Sequence, residues 1–146
     1  MEIKIKVCAK EGSTIPKYMT AGAAGADICA NLKEDLTIQP FERVLVPTGL
    51  KFHIPMGYEV EIRPRSGLAY KYGLTLANSP GTIDSDYRGE IKIILTNLSK
   101  EPYTIKHGER VAQMLVNKVD IATFEEIDEI GETERGSGGF GHTGKK

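Results

Sequence analysis

Hydrophobic and polar residues alternate along most of this chain. At the amino terminus Ile3, Ile5 and Val7 are separated by Lys4 and Lys6 and preceded by Glu2, the period-two pattern of a strand with one buried face. Short runs of the same kind recur at 36–38, 43–46, 50–54, 58–62, 74–77, 90–96, 103–105, 110–116 and 122–127. Turn formers stand between them, including Gln39-Pro40, Pro47-Thr48-Gly49, Pro55-Met56-Gly57, Ser79-Pro80-Gly81 and His107-Gly108. Proline and glycine supply the backbone angles that reverse a chain. About ten short strands at such spacing predict an all-β fold, a β-sandwich or distorted jelly roll.

Only residues 66–72 offer a helix, a short connector with Ser66 expected as its cap and Gly73 as its stop. The one shift of composition follows Ile127, where Asp128, Glu129, Glu132 and Glu134 lead into RGSGGFGHTG at 135–144. This divides the chain into a β body, 1–127, and a flexible glycine-rich arm, 128–146. Glycine loses the most backbone entropy on ordering, so the arm is expected to be loose without a ligand. Yet Arg135, Phe140, His142 and Thr143 sit among its glycines.

Composition narrows the function. The chain has 146 residues, 40% of them hydrophobic, with aromatics at 7% and no tryptophan. That suits one domain with a core of Ile, Leu and Val. A formal net charge of −1 gives no global field for nucleic acid or a membrane surface, so an anionic ligand must be held by a few local cations. Cys8 and Cys29, like His53, His107 and His142, lack metal-ligand spacing. With no apolar run of membrane-spanning length, the expectation is a soluble cytoplasmic protein with neither nucleic-acid nor membrane partners.

Four stretches interrupt the alternation with chemistry. AGAAGADI (21–28) sets small residues before Asp27; it reads as a tight turn or as a place where a ligand approaches closely. RPRSGLA (63–69) puts two arginines and a hydroxyl at a helix start, which makes either a capped helix or a local anion site. GTIDSDYRGE (81–90) packs three carboxylates, a phenol and an arginine into ten residues. A carboxylate there can orient and deprotonate water, or the stretch is simply a polar turn. In RVAQ (110–113), strict alternation places Arg110 and Gln113 on opposite faces. Arg110 is then expected to pair with an acid and Gln113 to donate to a ligand.

Together with RGSGGFGHTG, these ordered motifs resemble those of the trimeric deoxyuridine triphosphatases (dUTPases), over nearly the whole chain. The resemblance implies a jelly-roll-like subunit and a homotrimer with active sites at subunit interfaces. It implies Mg²⁺-dependent hydrolysis of dUTP to dUMP and pyrophosphate, which keeps uracil out of DNA and supplies dUMP for thymidylate synthesis. By resemblance Asp84 is the catalytic acid that positions water at the α-phosphorus. Arg65, Ser66, Gly67 and Gln113 contact phosphates, and Asp27 reaches the metal through water. Asn78, Thr82 and Ile83 face uracil, with Lys92 beside them, and Tyr87 packs under the deoxyribose. Arg135 reaches the γ-phosphate, Phe140 covers the uracil, and His142 and Thr143 close around the phosphates. His142 departs from the family pattern, where serine is more usual.

Two other functions draw on the same residues. A dCTP deaminase shares the fold superfamily but needs a glutamate poised at the cytosine amine and does not use the fifth motif. A non-catalytic nucleotide-binding jelly roll has no need to keep Asp84, Arg65, Gln113 and Arg135 together.

Overall fold

The computed structural model describes residues 2–145. Among them lie eleven strands and one helix: β1 (Lys6–Ala9), β2 (Ala26–Cys29), β3 (Leu36–Ile38), β4 (Arg43–Pro47), β5 (Leu50–His53), β6 (Tyr58–Arg63), α1 (Ser66–Tyr72), β7 (Leu74–Leu76), β8 (Gly81–Ile83), β9 (Lys92–Asn97), β10 (Tyr103–Ile105) and β11 (Arg110–Lys118). The strands form four antiparallel groups, ordered β2-β11-β6-β8, β4-β9-β7, β1-β5 and β10-β3. The fold class is therefore all-β, as the alternation predicts.

The core is aliphatic, as a chain poor in aromatics requires. Ile28, Ile38, Val46, Leu50, Val60 and Ile105 are fully buried, and Phe52 is the aromatic among the buried apolar residues. Its polar members are satisfied. Thr48 donates from Oγ1 to the Ile91 carbonyl at 2.6 Å. Buried Asn97 donates to the carbonyls of Ile38 (3.1 Å) and Glu101 (2.7 Å) and accepts from the Ser99 amide (2.9 Å). Unpaired, such groups would each cost about 1–3 kcal/mol.

Four sequence expectations need correction. The strand expected at 122–127 is absent: β11 ends at Lys118, and from Ile121 to Ile130 every residue is exposed. A strand needs a ladder partner, and this chain offers that segment none. The first strand starts at Lys6, although Ile3 and Ile5 keep their half-buried alternation ahead of it. β2 and β8 were not expected; ADIC shows no alternation, and GTI is only three residues long. Finally, Ser66 does not cap α1. Arg65 holds the cap position in extended geometry with no side-chain cap bond, whereas Gly73 ends the helix at φ 68° as expected.

Candidate active site

The four-stranded sheet gathers what the sequence scatters. β2 carries the end of AGAAGADI, β11 carries RVAQ, β6 leads into RPRSGLA, and β8 opens GTIDSDYRGE. Asp27 pairs in register with Gln113, and Gln113 pairs on its other side with Arg63. Ile62, beside Arg63, pairs with Gly81 on the last strand. Four motifs thus share one sheet.

At this sheet end Asp27 is flanked by two guanidinium groups. Arg65 Nε lies 3.3 Å from Asp27 Oδ1, and Arg110 Nη1 donates to Oδ2 at 3.1 Å. Arg65 Nη1 also donates to the Arg110 carbonyl at 3.1 Å, closing the arrangement. Arg110 reaches the acid because the β11–β2 ladder shifts register between Arg110 and Ala112. Such a bulge inserts an unpaired residue and re-aims its neighbours, so the alternation expected to separate Arg110 from Gln113 fails, while the expected acid pairing holds.

Gln113 Nε2 donates to the Pro64 carbonyl at 3.0 Å, tying β11 to the loop that carries Arg65. Gly25 makes this possible, since a Cβ at that position would overlap Gln113 Oε1. Ser66 and Gly67 are exposed at the start of α1 beside this cluster. The ensemble offers one acid against two arginines. Its local excess is positive, suited to a phosphate chain.

A second group lines an open recess of about 390 Å³. Thr82, Ile83, Asp84, Tyr87 and Lys92 border it, with Leu45 and Ile94 as its apolar wall. Asp84 and Tyr87 belong to one turn, in which the Tyr87 amide donates to the Asp84 carbonyl at 3.2 Å. The Tyr87 hydroxyl donates to the Glu90 carbonyl at 3.1 Å, laying the ring back along the loop. Gly89 leaves room for it; a Cβ there would collide with the phenol. Glu90 in turn accepts from the Gly49 amide at 2.9 Å, anchoring the loop to the body. The Asp84 side chain is exposed. Asn78 stands beside this group, its amide against Gly81 at the head of β8.

Sequence reasoning passed over Leu45, Ile94 and Glu90 as site residues. Glu90 was visible inside its motif, but only the fold reveals what it anchors. Leu45 and Ile94 read as ordinary strand residues because nothing in an alternating run marks which exposed apolar face borders a recess.

The arm residues stand apart from both groups. Arg135, Phe140, His142 and Thr143 border an open space of about 720 Å³ formed wholly by residues 133–143. Arg135 Nε donates to the Gly138 carbonyl at 2.8 Å within the arm, and Phe140 is fully exposed. Within one chain the arm and the body do not form a common pocket among the described residues.

Among the described residues no group of three or more His, Cys, Asp or Glu side chains converges as a metal site. No helix there is long and apolar enough to cross a membrane.

Known proteins give this geometry a family. A family model described as dUTPase matches residues 11–144. A deoxyuridine 5'-triphosphate nucleotidohydrolase of Fusobacterium nucleatum is 56% identical, with 99% of each chain covered. Another so named, from Finegoldia magna, is 52% identical over 97% of this chain and 99% of its own. Among solved structures, a Staphylococcus bacteriophage 80alpha dUTPase with dUPNHPP superposes at TM-score 0.85 and 25% identity, covering 97% of this chain and 98% of that one. A phage phi11 dUTPase of S. aureus, described for its coordination of a structural Mg(II) ion, superposes at TM-score 0.77 and 22% identity over 86% of this chain and 97% of its own. With motif order, sheet and relatives in agreement over nearly its full length, the chain belongs to the dUTPase family.

Proposed function

We propose that this protein hydrolyses dUTP to dUMP and pyrophosphate, at sites completed between the subunits of a homotrimer. The observation that carries the reading is the sheet β2-β11-β6-β8, on which the four body motifs of a nucleotidohydrolase become neighbours. Relatives at 56% and 52% identity bear that enzyme's name.

Arg65, with Ser66, Gly67 and Gln113, holds the phosphate chain. Asn78, Thr82 and Ile83 present polar backbone and amide groups to uracil, with Lys92 alongside. Tyr87 lies under the deoxyribose and leaves no room for a 2′-hydroxyl. Asp84 aligns a water for in-line attack on the α-phosphorus, with pyrophosphate as leaving group. Most of the rate comes from alignment and from charge stabilisation around the phosphates.

The donor set fits Mg²⁺ carried in on the triphosphate. Both Asp27 oxygens already face guanidinium groups, which leaves this acid a contact through water, and Mg²⁺ usually keeps several waters and binds substrate phosphates. Bound there, the ion would offset phosphate charge.

The working division is a body, 1–127, and an arm, 128–146, that closes over a site. Arg135 reaches the γ-phosphate, Phe140 covers uracil, and His142 and Thr143 close the phosphate end. Ile121, Phe124, Ile127 and Ile130 are 87, 97, 58 and 87% exposed on the single chain. So much bare apolar surface around the start of the arm supports association with neighbouring copies. The cytoplasm, where nucleotide pools are policed, is the compartment proposed.

The test is pyrophosphate release from dUTP, dCTP, dTTP and UTP with Mg²⁺. The expected result is release from dUTP alone. Asp84→Asn should lower it about 10²–10⁴-fold while dUPNHPP binding persists. Ammonia from dCTP without pyrophosphate from dUTP would assign the chain to deamination instead.

A further inference from the structure

The ribbon of β1 and β5 carries a feature that the substrate site does not use. Its register sets Lys6 opposite His53 and Cys8 opposite Lys51. Residues two apart share a face, so these four side chains stand together, and all four residues are exposed. The alternate residues Val7 and Phe52 pair between them, with Phe52 buried in the core. Arg88 reaches the same place from the catalytic loop, and together they border a recess of about 310 Å³.

No acid borders it. Among the described residues none of Lys6, Lys51, His53 and Arg88 has a carboxylate within 4.0 Å, although the chain holds 20 acids against 19 lysines and arginines. Lys6 and Lys51 stand diagonally on this face, opposite His53 and Cys8, and an anion between them would offset the repulsion of neighbouring cations. Strand geometry spreads the cations by about 7 Å along the ribbon, a span suited to linked phosphates more than to one.

We propose that this face is a second anion site, distinct from the substrate site, that takes a short polyphosphate such as inorganic pyrophosphate. Lys6 and Lys51 supply the grip and Arg88 the link to the catalytic turn. Arg88 Nη1 donates to the carbonyls of Ser85 (2.7 Å) and Tyr87 (3.0 Å). The guanidinium that borders the recess therefore also holds the loop between Asp84 and Tyr87. This assignment does not depend on the reaction proposed above.

Pyrophosphate also fits a phosphate-binding active site, so the test fills that site first. Calorimetric titration of pyrophosphate into the full chain saturated with dUPNHPP should show one saturable site per chain. Its Kd should rise at least tenfold in the Lys6→Ala/Lys51→Ala double variant and stay near the original value in Lys6→Arg/Lys51→Arg. Cys8 gives a local readout, being exposed while Cys29 is buried. Pyrophosphate should slow its alkylation by iodoacetamide severalfold. Absence of binding once dUPNHPP is present, equal binding by the alanine double variant, loss of binding in the arginine pair, or an unchanged Cys8 rate would each overturn the proposal.

Discussion

The sheet end around Asp27 and the arm around Phe140 carry the same kinds of groups, an arginine with polar partners, in opposite structural settings. At the sheet end, strand register fixes the neighbours: Asp27 faces Gln113, two guanidiniums flank the acid, and Gln113 is tied to Pro64. In the arm, the Arg135 side chain donates to a carbonyl three residues away, and Phe140 is fully exposed. One region is organised before any ligand arrives. The other has side chains suited to a nucleotide but too little buried surface to offset the entropy of ordering its glycines. The function proposed above gives the two separate tasks: the body aligns and the arm encloses, at a cost met by substrate binding.

Removing the end of the arm should have the largest effect. A chain ending at Glu134 should keep the melting temperature of the full protein, because no core residue is lost, while kcat/KM for dUTP falls roughly a hundredfold, the scale of losing a phosphate-directed donor. A matching fall in melting temperature would mean that the arm supports the fold. Within the body, Gly25→Ala should push Gln113 off the Pro64 carbonyl. One hydrogen bond of about 0.5–1.5 kcal/mol corresponds to a rise in KM of roughly two- to tenfold, with kcat little changed. Gln113→Ala should have the same effect, and the two together no more than either alone.

The smallest effect concerns the packing at the carboxyl end of α1. Burial, and then Glu109, whose carboxylate accepts from the hydroxyl at 3.2 Å, pushes the Tyr103 phenol from 10.0 up to about 12. Its ring also packs against Tyr72 at 5.0 Å between centroids. A pKa raised on folding favours the neutral phenol, so this contribution is complete below pH 10 and is lost as pH rises towards about 12. Urea midpoints measured across that interval should fall less steeply in Tyr103→Phe than in the parent protein. Parallel curves would remove Tyr103 from the account.

Most of the fold was legible because one-sided burial writes a period of two into the sequence. β3 and β10 fall where the alternation puts them, and Gly73 ends the helix as its left-handed geometry requires. β2 was hidden because it has four residues, three of them buried, and its one polar residue, Asp27, is too little to set up an alternation. The opposite error arose at 122–127, where a strand-like pattern has no partner within the chain. Local pattern reports which face wants burial and is silent on who supplies the other face. The site divides in the same way. Residue types in ordered motifs pointed to Asp27, Arg65 and Gln113, but their adjacency depends on the strand order β2-β11-β6-β8 and on a bulge at Arg110, which sequence spacing does not encode.

Co-assembly tests the proposal that body and arm act together across subunits. A full-length Asp84→Asn chain lacks the aligning acid, and a chain ending at Glu134 lacks the enclosing arm. Co-expressed and purified as mixed assemblies, they should release pyrophosphate from dUTP well above either parent, since some sites then combine an intact Asp84 with a neighbour's arm. Mixed assemblies no more active than their parents would contradict the account.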